Sequence, residues 1–195
     1  MTSIRCVISS LLLTVAAALL AVFIVINSPL HASALMIPSE FQSLPEAIER
    51  AGIQVRVNDS KVCGKDALGV YFPGRDLIVV CQSVAQPGDP EYKWSIEDFT
   101  VLMHESTHLL QDCLTGSLRD MQLKTITNTP EELAEYSQEL SEDMISWITQ
   151  TYREHGADDI TIWLEVEAFS TQTSAEPEDL AASINKACPI RISED

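Results

Sequence analysis

Apolar positions in this chain change period along its length, and the changes mark out its elements. Between 95 and 115, apolar residues fall at Ile96, Phe99, Leu102, Met103, Leu109, Leu110, Cys113 and Leu114, a broad face at helical spacing with no Pro or Gly to interrupt it. Ser95 suits the N-cap, with Asp98 three residues on as an imperfect capping box, and Trp94 and Phe99 stand where a hydrophobic staple places its pair. Gly116 supplies the stop. The pattern predicts one buried helix over 95–115.

On either side the period differs. Pro38 to Ala51 reads as a first helix, with Ser43-Leu-Pro-Glu46 resembling a capping box and Gly52 as its end. Ile53 to Val57 alternates apolar and polar, as a half-buried strand does. Ala67 to Phe72 and Asp76 to Cys81 are strand-like and joined by Phe72-Pro-Gly-Arg75, whose central Pro and Gly suit a type II turn. Leu77 to Val80 is apolar throughout, as expected of a central strand, and an outer strand would offer an edge to an extended peptide. Residues 82–93 read as a loop. Thr129-Pro-Glu-Glu132 opens a long helix with a buried stripe of Leu133, Leu140, Met144, Trp147, Ile148 and Tyr152, closed by His155 and Gly156. Further helices are expected from Asp158 or Asp159 to Thr173 and from Pro177 to Ala187. A short sheet among several helices makes the class α+β.

The first 34 residues have the composition of an export signal: Arg5, an apolar run from Leu11 to Ile26, and Ala32-Ser33-Ala34 as a cleavage site. Cleavage would leave a single domain, 35–195. The alternative is an uncleaved membrane anchor, since Val7 to Ile26 approaches the ~20 residues that span a bilayer. Export changes the reading of the cysteines. Cys63, Cys81, Cys113 and Cys188 form an even set outside the leader, and such sets in exported chains form disulfides. Cys63 and Cys81 bracket the hairpin and are expected to pair, which leaves Cys113 for Cys188.

Charge narrows the partners. With 29 acidic against 12 basic residues the formal net charge is −17, which argues against nucleic acid or an anionic membrane surface as the main partner. A membrane enters only if the N-terminal segment stays in place.

The predicted 95–115 helix carries His104-Glu105-x-x-His108. Residues i and i+4 lie one turn apart on one face, so both imidazoles can hold one metal ion. Glu105 is about 100° round from His104 and about 60° from His108. It flanks the ion without binding it, placed to take a proton from a metal-bound water. Cys113, about 140° past His108, points away from the metal and is a staple rather than a ligand.

A catalytic zinc site has three protein ligands and an open position. No His-x-x-Gly-x-x-His extension follows His108, so the third ligand must be a carboxylate further on. In Trp163-Leu-Glu-Val-Glu-Ala-Phe169 the chain resembles the gluzincin branch of the zincin metallopeptidases, whose second helix carries Glu-x-x-Ala or Glu-x-x-Ser. The resemblance makes Glu165 the zinc-binding glutamate and Ala168 the small residue that lets two helices approach; Glu167, Glu135 and Glu139 are the rival carboxylates. Many gluzincins have an Asp after the small residue, orienting a histidine ligand, where this chain has Phe169. Tyr136, Tyr152 and His155 are the candidates for stabilising an oxyanion.

The resemblance implies a zincin-like fold, a short β-sheet packed on the motif helix with further helices. It also implies a Zn²⁺-dependent metallopeptidase that cleaves peptide or protein substrates through a zinc-activated water, with Glu105 as general base. The alternative from another class is a catalytically inactive zincin-fold binding or regulatory module.

Overall fold

A computed structural model describes residues 41–64 and 67–188. The predicted leader and its predicted cleavage site, and the start of the first predicted helix, lie outside the described residues. Among those described, the fold is mixed α+β, with six helices and a three-stranded sheet. None of these helices is long and apolar enough to cross a membrane.

Helix α1 (Ser43–Arg50) buries Leu44, Ala47 and Ile48 and leads into β1 (Gln54–Val57). Its predicted capping box is absent: Gln42 is the N-cap, with no side-chain capping bond to the helix, and Ser43 already lies inside the helix. Strands β2 (Gly69–Phe72) and β3 (Leu77–Val80) form the expected hairpin. At its turn Arg75 N–H donates to Phe72 O at 3.1 Å, and Gly74 has φ +74°, the sign that the third position of a type II turn requires. The apolar run of β3 has the cause the sequence suggested. It is the central strand, parallel to β1 and antiparallel to β2, with Ile78, Val79 and Val80 fully buried.

Helix α2 (Ile96–Cys113) carries the motif, and both bonds of its capping box form: Asp98 N–H to Ser95 Oγ at 3.1 Å and Ser95 N–H to Asp98 Oδ2 at 2.8 Å. Trp94 and Phe99 are both buried, and Phe99 stacks on Phe41. The apolar face holds through the middle of the helix, but Ile96 and Leu114 at its two ends are exposed. Helix α2 packs on β2 and β3 on one side and on two later helices on the other.

The long helix expected from Thr129 is two. Helix α3 (Pro130–Tyr136) ends at Ser137, and α4 (Glu142–Glu154) restarts with Ser141 accepting from Met144 N–H. The break alters the predicted stripe: Leu140 and Ile148 are buried, whereas Met144 and Trp147 are exposed. Ser141 followed by Glu142 and Asp143 is a strong start signal, and it overrides the apolar periodicity that runs across it. Helices α5 (Asp159–Ser174) and α6 (Pro177–Ala187) fall where expected. Leu140, Ile148, Ile162 and Val166 form a small core between α4 and α5. The two disulfides are Cys63–Cys81 and Cys113–Cys188, as read from the sequence; the second ties the end of α2 to the end of α6.

Candidate metal centre

Helices α2 and α5 pack together, and Ala168, one turn after Glu165 on α5, is fully buried. Their facing surfaces bring His104, His108 and Glu165 to one point. His104 Nε2 lies 3.3 Å from Glu165 Oε2, and His108 Nε2 lies 3.6 Å from Glu165 Oε1. One ligand atom from each of the three residues can be chosen within 4.8 Å of the other two. Ligands about 2.0–2.1 Å from a tetrahedral zinc stand roughly 3.4 Å apart, so these spacings suit one such ion.

Polar bookkeeping supports the same fit. Glu165 Oε2 is buried and has no hydrogen-bond partner, since the 3.3 Å approach of His104 lacks hydrogen-bond geometry. A buried carboxylate oxygen left bare is costly, and a bound cation is one of the few things that satisfies it. Burial pushes the Glu165 carboxyl pKa up, but the facing imidazoles and the Tyr152 hydroxyl outweigh it and hold the group below its ordinary value. Glu165 is therefore ionised at neutral pH, as a ligand must be.

Both imidazoles are held from behind. His108 Nδ1 is 2.8 Å from Gln111 Oε1, and His104 Nδ1 is 2.9 Å from Gln172 Oε1. Phe169, at the position where the family resemblance led to an Asp, meets the His104 ring edge-on with centroids 4.8 Å apart. Trp147 in turn meets Phe169 edge-on at 5.9 Å, so an exposed aromatic wall leads up to His104.

Glu105 is bonded to the sheet while lying close enough to His108 and Glu165 to feel their charges. Its Oε2 accepts Tyr71 N–H from β2 at 2.7 Å, and the side chain is buried. Burial raises its pKa to about 7, against the lowering influence of His108 and the Tyr71 amide. Strand β2 comes this close because position 69 is glycine: a Cβ there would lie 2.5 Å from Val101 Cγ1 and 2.9 Å from Glu105 Oε1.

Glu167, the nearest rival to Glu165, has another task. It is fully buried, and its two oxygens accept from Gln111 Nε2, Ile126 N–H, Thr127 N–H, Thr127 Oγ1 and Trp163 Nε1. The carboxylate thus pins the irregular 117–128 segment to α5, and it is absent from the converging group. Glu135 and Glu139 are exposed and also absent from it. Of the candidate oxyanion groups, Tyr136 donates to or accepts from Thr171 Oγ1 at 2.7 Å, and His155 is exposed with Nδ1 on Thr151 O. Tyr152 is the one beside the site. Burial raises its pKa, and the charge of Glu165 and a hydrogen bond to it push further the same way, so the phenol keeps its proton.

Three contributors were not singled out from the sequence. Gly69 had a readable signal, since an isolated glycine inside a strand marks a close backbone approach. Gln111, a polar residue on the buried face of a helix three positions after His108, had a weaker one. Gln172 had none within its own helix, because its partner lies 68 residues away. Comparison with family models, curated proteins and solved structures found no match to this chain.

Proposed function

We propose that this chain is an exported, zinc-dependent metallopeptidase with a zincin-like fold. The observation that carries the reading is the convergence of two imidazole Nε2 atoms and the Glu165 carboxylate beside a second, buried carboxylate, Glu105. His104, His108 and Glu165 would hold the ion. Zinc bound there would supply a Lewis acid that polarises a scissile carbonyl and brings the pKa of a bound water toward ~7.

The chain's own residues account for the remaining chemistry. Glu105, with a pKa about 7, is matched to general acid–base work near neutrality. Its carboxylate takes a proton from the attacking water as the water oxygen bonds the carbonyl carbon. It then delivers that proton to the amine as the C–N bond breaks. The protonated Tyr152 hydroxyl, beside Glu165, donates to the oxygen on which negative charge develops. Two disulfides and a leader-like N-terminus support export.

The test uses the purified chain and its Glu105→Gln variant. We expect one zinc per chain in both, with cleavage of a mixed peptide library by the parent that stops on adding a chelator. The variant should lose about 10²–10⁴-fold in kcat/KM, the usual contribution of a positioned acid–base group. Full activity in Glu105→Gln would reject the mechanism. Zinc bound with no cleavage of any peptide would favour the binding-module reading instead.

A further inference from the structure

We infer that Gln111 and Gln172 are the positioning residues of the metal centre, fixing both histidines as Nδ1–H tautomers through neutral amides, with Glu167 locking the amide of Gln111. The inference rests on the metal-site reading and adds how the ligands are made ready. A histidine binds through whichever ring nitrogen lacks a proton, and the hydrogen bond at the other nitrogen decides which that is.

The Gln111 amide has its orientation set by its surroundings. Its Nε2 donates to Leu164 O at 3.0 Å and to Glu167 Oε2 at 2.9 Å, and both of those oxygens can only accept. Flipping the amide would set oxygen against oxygen twice, in a fully buried place. Oε1 must therefore face His108 Nδ1, and since an amide oxygen only accepts, Nδ1 must carry the proton. Nε2 is then the ring nitrogen that faces Glu165 and is available to an ion. Glu167 holds its own place through the four other donors that converge on it, so the chain of constraint runs from the 126–127 backbone to the metal ligand.

Gln172 does the same for His104. It lies seven residues after Glu165, two turns along one face of α5, so a single helix face supplies both the carboxylate ligand and the partner of the opposing imidazole. Its Oε1 lies 2.9 Å from His104 Nδ1, as an acceptor for a proton on that nitrogen, and Nε2 is the nitrogen that faces Glu165 Oε2. Phe169 occupies the place where a carboxylate would otherwise stand, and packs the ring without polarising it.

The chemical consequence concerns charge. A carboxylate behind a histidine raises the ligand's basicity, whereas an amide sets direction and tautomer with no added negative charge. An ion bound by these two histidines would be held less tightly than one bound by carboxylate-backed histidines and would keep more of its positive charge for a substrate.

The experiment reads ring protonation and zinc affinity rather than turnover. In the zinc-free chain at pH 8, long-range ¹H–¹⁵N spectra should show His104 and His108 both protonated at Nδ1, the nitrogen that free imidazole side chains leave bare in their preferred neutral form. Competition with a chelating dye then measures zinc affinity in Gln111→Met, Gln172→Ala and Gln172→Glu. We expect Gln111→Met and Gln172→Ala each to weaken zinc binding roughly 10–100-fold and to release the tautomer of their own histidine only. Gln172→Glu should bind zinc more tightly than the parent. Nε2–H tautomers in the parent, or unchanged affinity in both weakening variants, would overturn the inference. If Gln111→Met does not fold, the half-buried Gln172 pair of variants decides alone. A parent that binds no zinc sinks the peptidase reading, while its tautomers still judge this one.

Discussion

The backbone amide of Tyr71 donates to the Glu105 carboxylate at 2.7 Å, so the proposed acid–base residue of the motif is tethered to the edge of the sheet and not to its own helix. The approach depends on Gly69, whose missing Cβ leaves room for Val101 and Glu105. Gly69→Ala should force β2 away from α2 and loosen the Tyr71–Glu105 bond. The overpacking should cost about 1–3 kcal/mol in denaturant unfolding. Turnover should fall with it, whereas zinc should stay bound, because the three ligands do not touch position 69. Parent-like stability together with parent-like activity would show that the glycine is incidental.

Tyr152 separates two tasks that one side chain could serve. If its hydroxyl stabilises the developing oxyanion, Tyr152→Phe lowers kcat by about 10²–10³-fold, leaves KM within a few-fold, and keeps zinc affinity. If it serves only to orient Glu165, zinc affinity falls and kcat recovers at saturating zinc. Steady-state kinetics across a zinc titration distinguish these outcomes, and we expect the first.

Local signals carried most of what the sequence yielded. The Ser95–Asp98 cap, the Pro73-Gly74 turn and the His104–His108 spacing are each decided within a few residues, and all formed as read. The pairing of Cys113 with Cys188 followed by elimination. Glu165 came from a resemblance, and its arrival at the imidazoles depends on how α5 packs on α2, which no local pattern states. The break at Ser137–Ser141 was missed because the apolar spacing of Leu133, Leu140 and Ile148 stays helical across it. Glu167 looked like a spare ligand because a buried acid, seen in sequence, is indistinguishable from an exposed one. Its five donors come from three separate places in the chain, residues 111, 126–127 and 163, and only the assembled fold brings them together.

The two disulfides should differ in weight. Cys113–Cys188 spans 75 residues of sequence and Cys63–Cys81 spans 18. On loop entropy alone these correspond to about 4.5 and about 3 kcal/mol of stabilisation. Replacing Cys113 and Cys188 together by Ala should therefore lower unfolding stability more than replacing Cys63 and Cys81 together, as measured by guanidinium titration. The longer bridge also ties the motif helix to α6, so its loss should increase amide hydrogen exchange in the last turns of α2. The reverse order of stability losses would show that strain or residual structure outweighs chain entropy here.

The helix that supplies Glu165 and Gln172 begins at an acid-sensitive cap. Asp158 Oδ1 accepts Thr161 N–H at 2.8 Å and Thr161 Oγ1 at 2.7 Å, and these bonds hold its pKa below the ordinary aspartate value. Because the folded value lies below the unfolded one, the cap contributes stability above about pH 4 and loses it as pH falls through the folded value. Asparagine caps a helix about as well but does not titrate in this range. The difference in melting temperature between the parent and Asp158→Asn should therefore favour the parent near neutrality, where the charged cap also meets the positive end of the helix, and shrink toward zero as pH falls below about 4 and on through the lowered folded value. The group is fully exposed, so the effect should be small and should diminish with added salt. A melting difference that stays constant from neutral to acid pH would mean that Asp158 acts through shape alone.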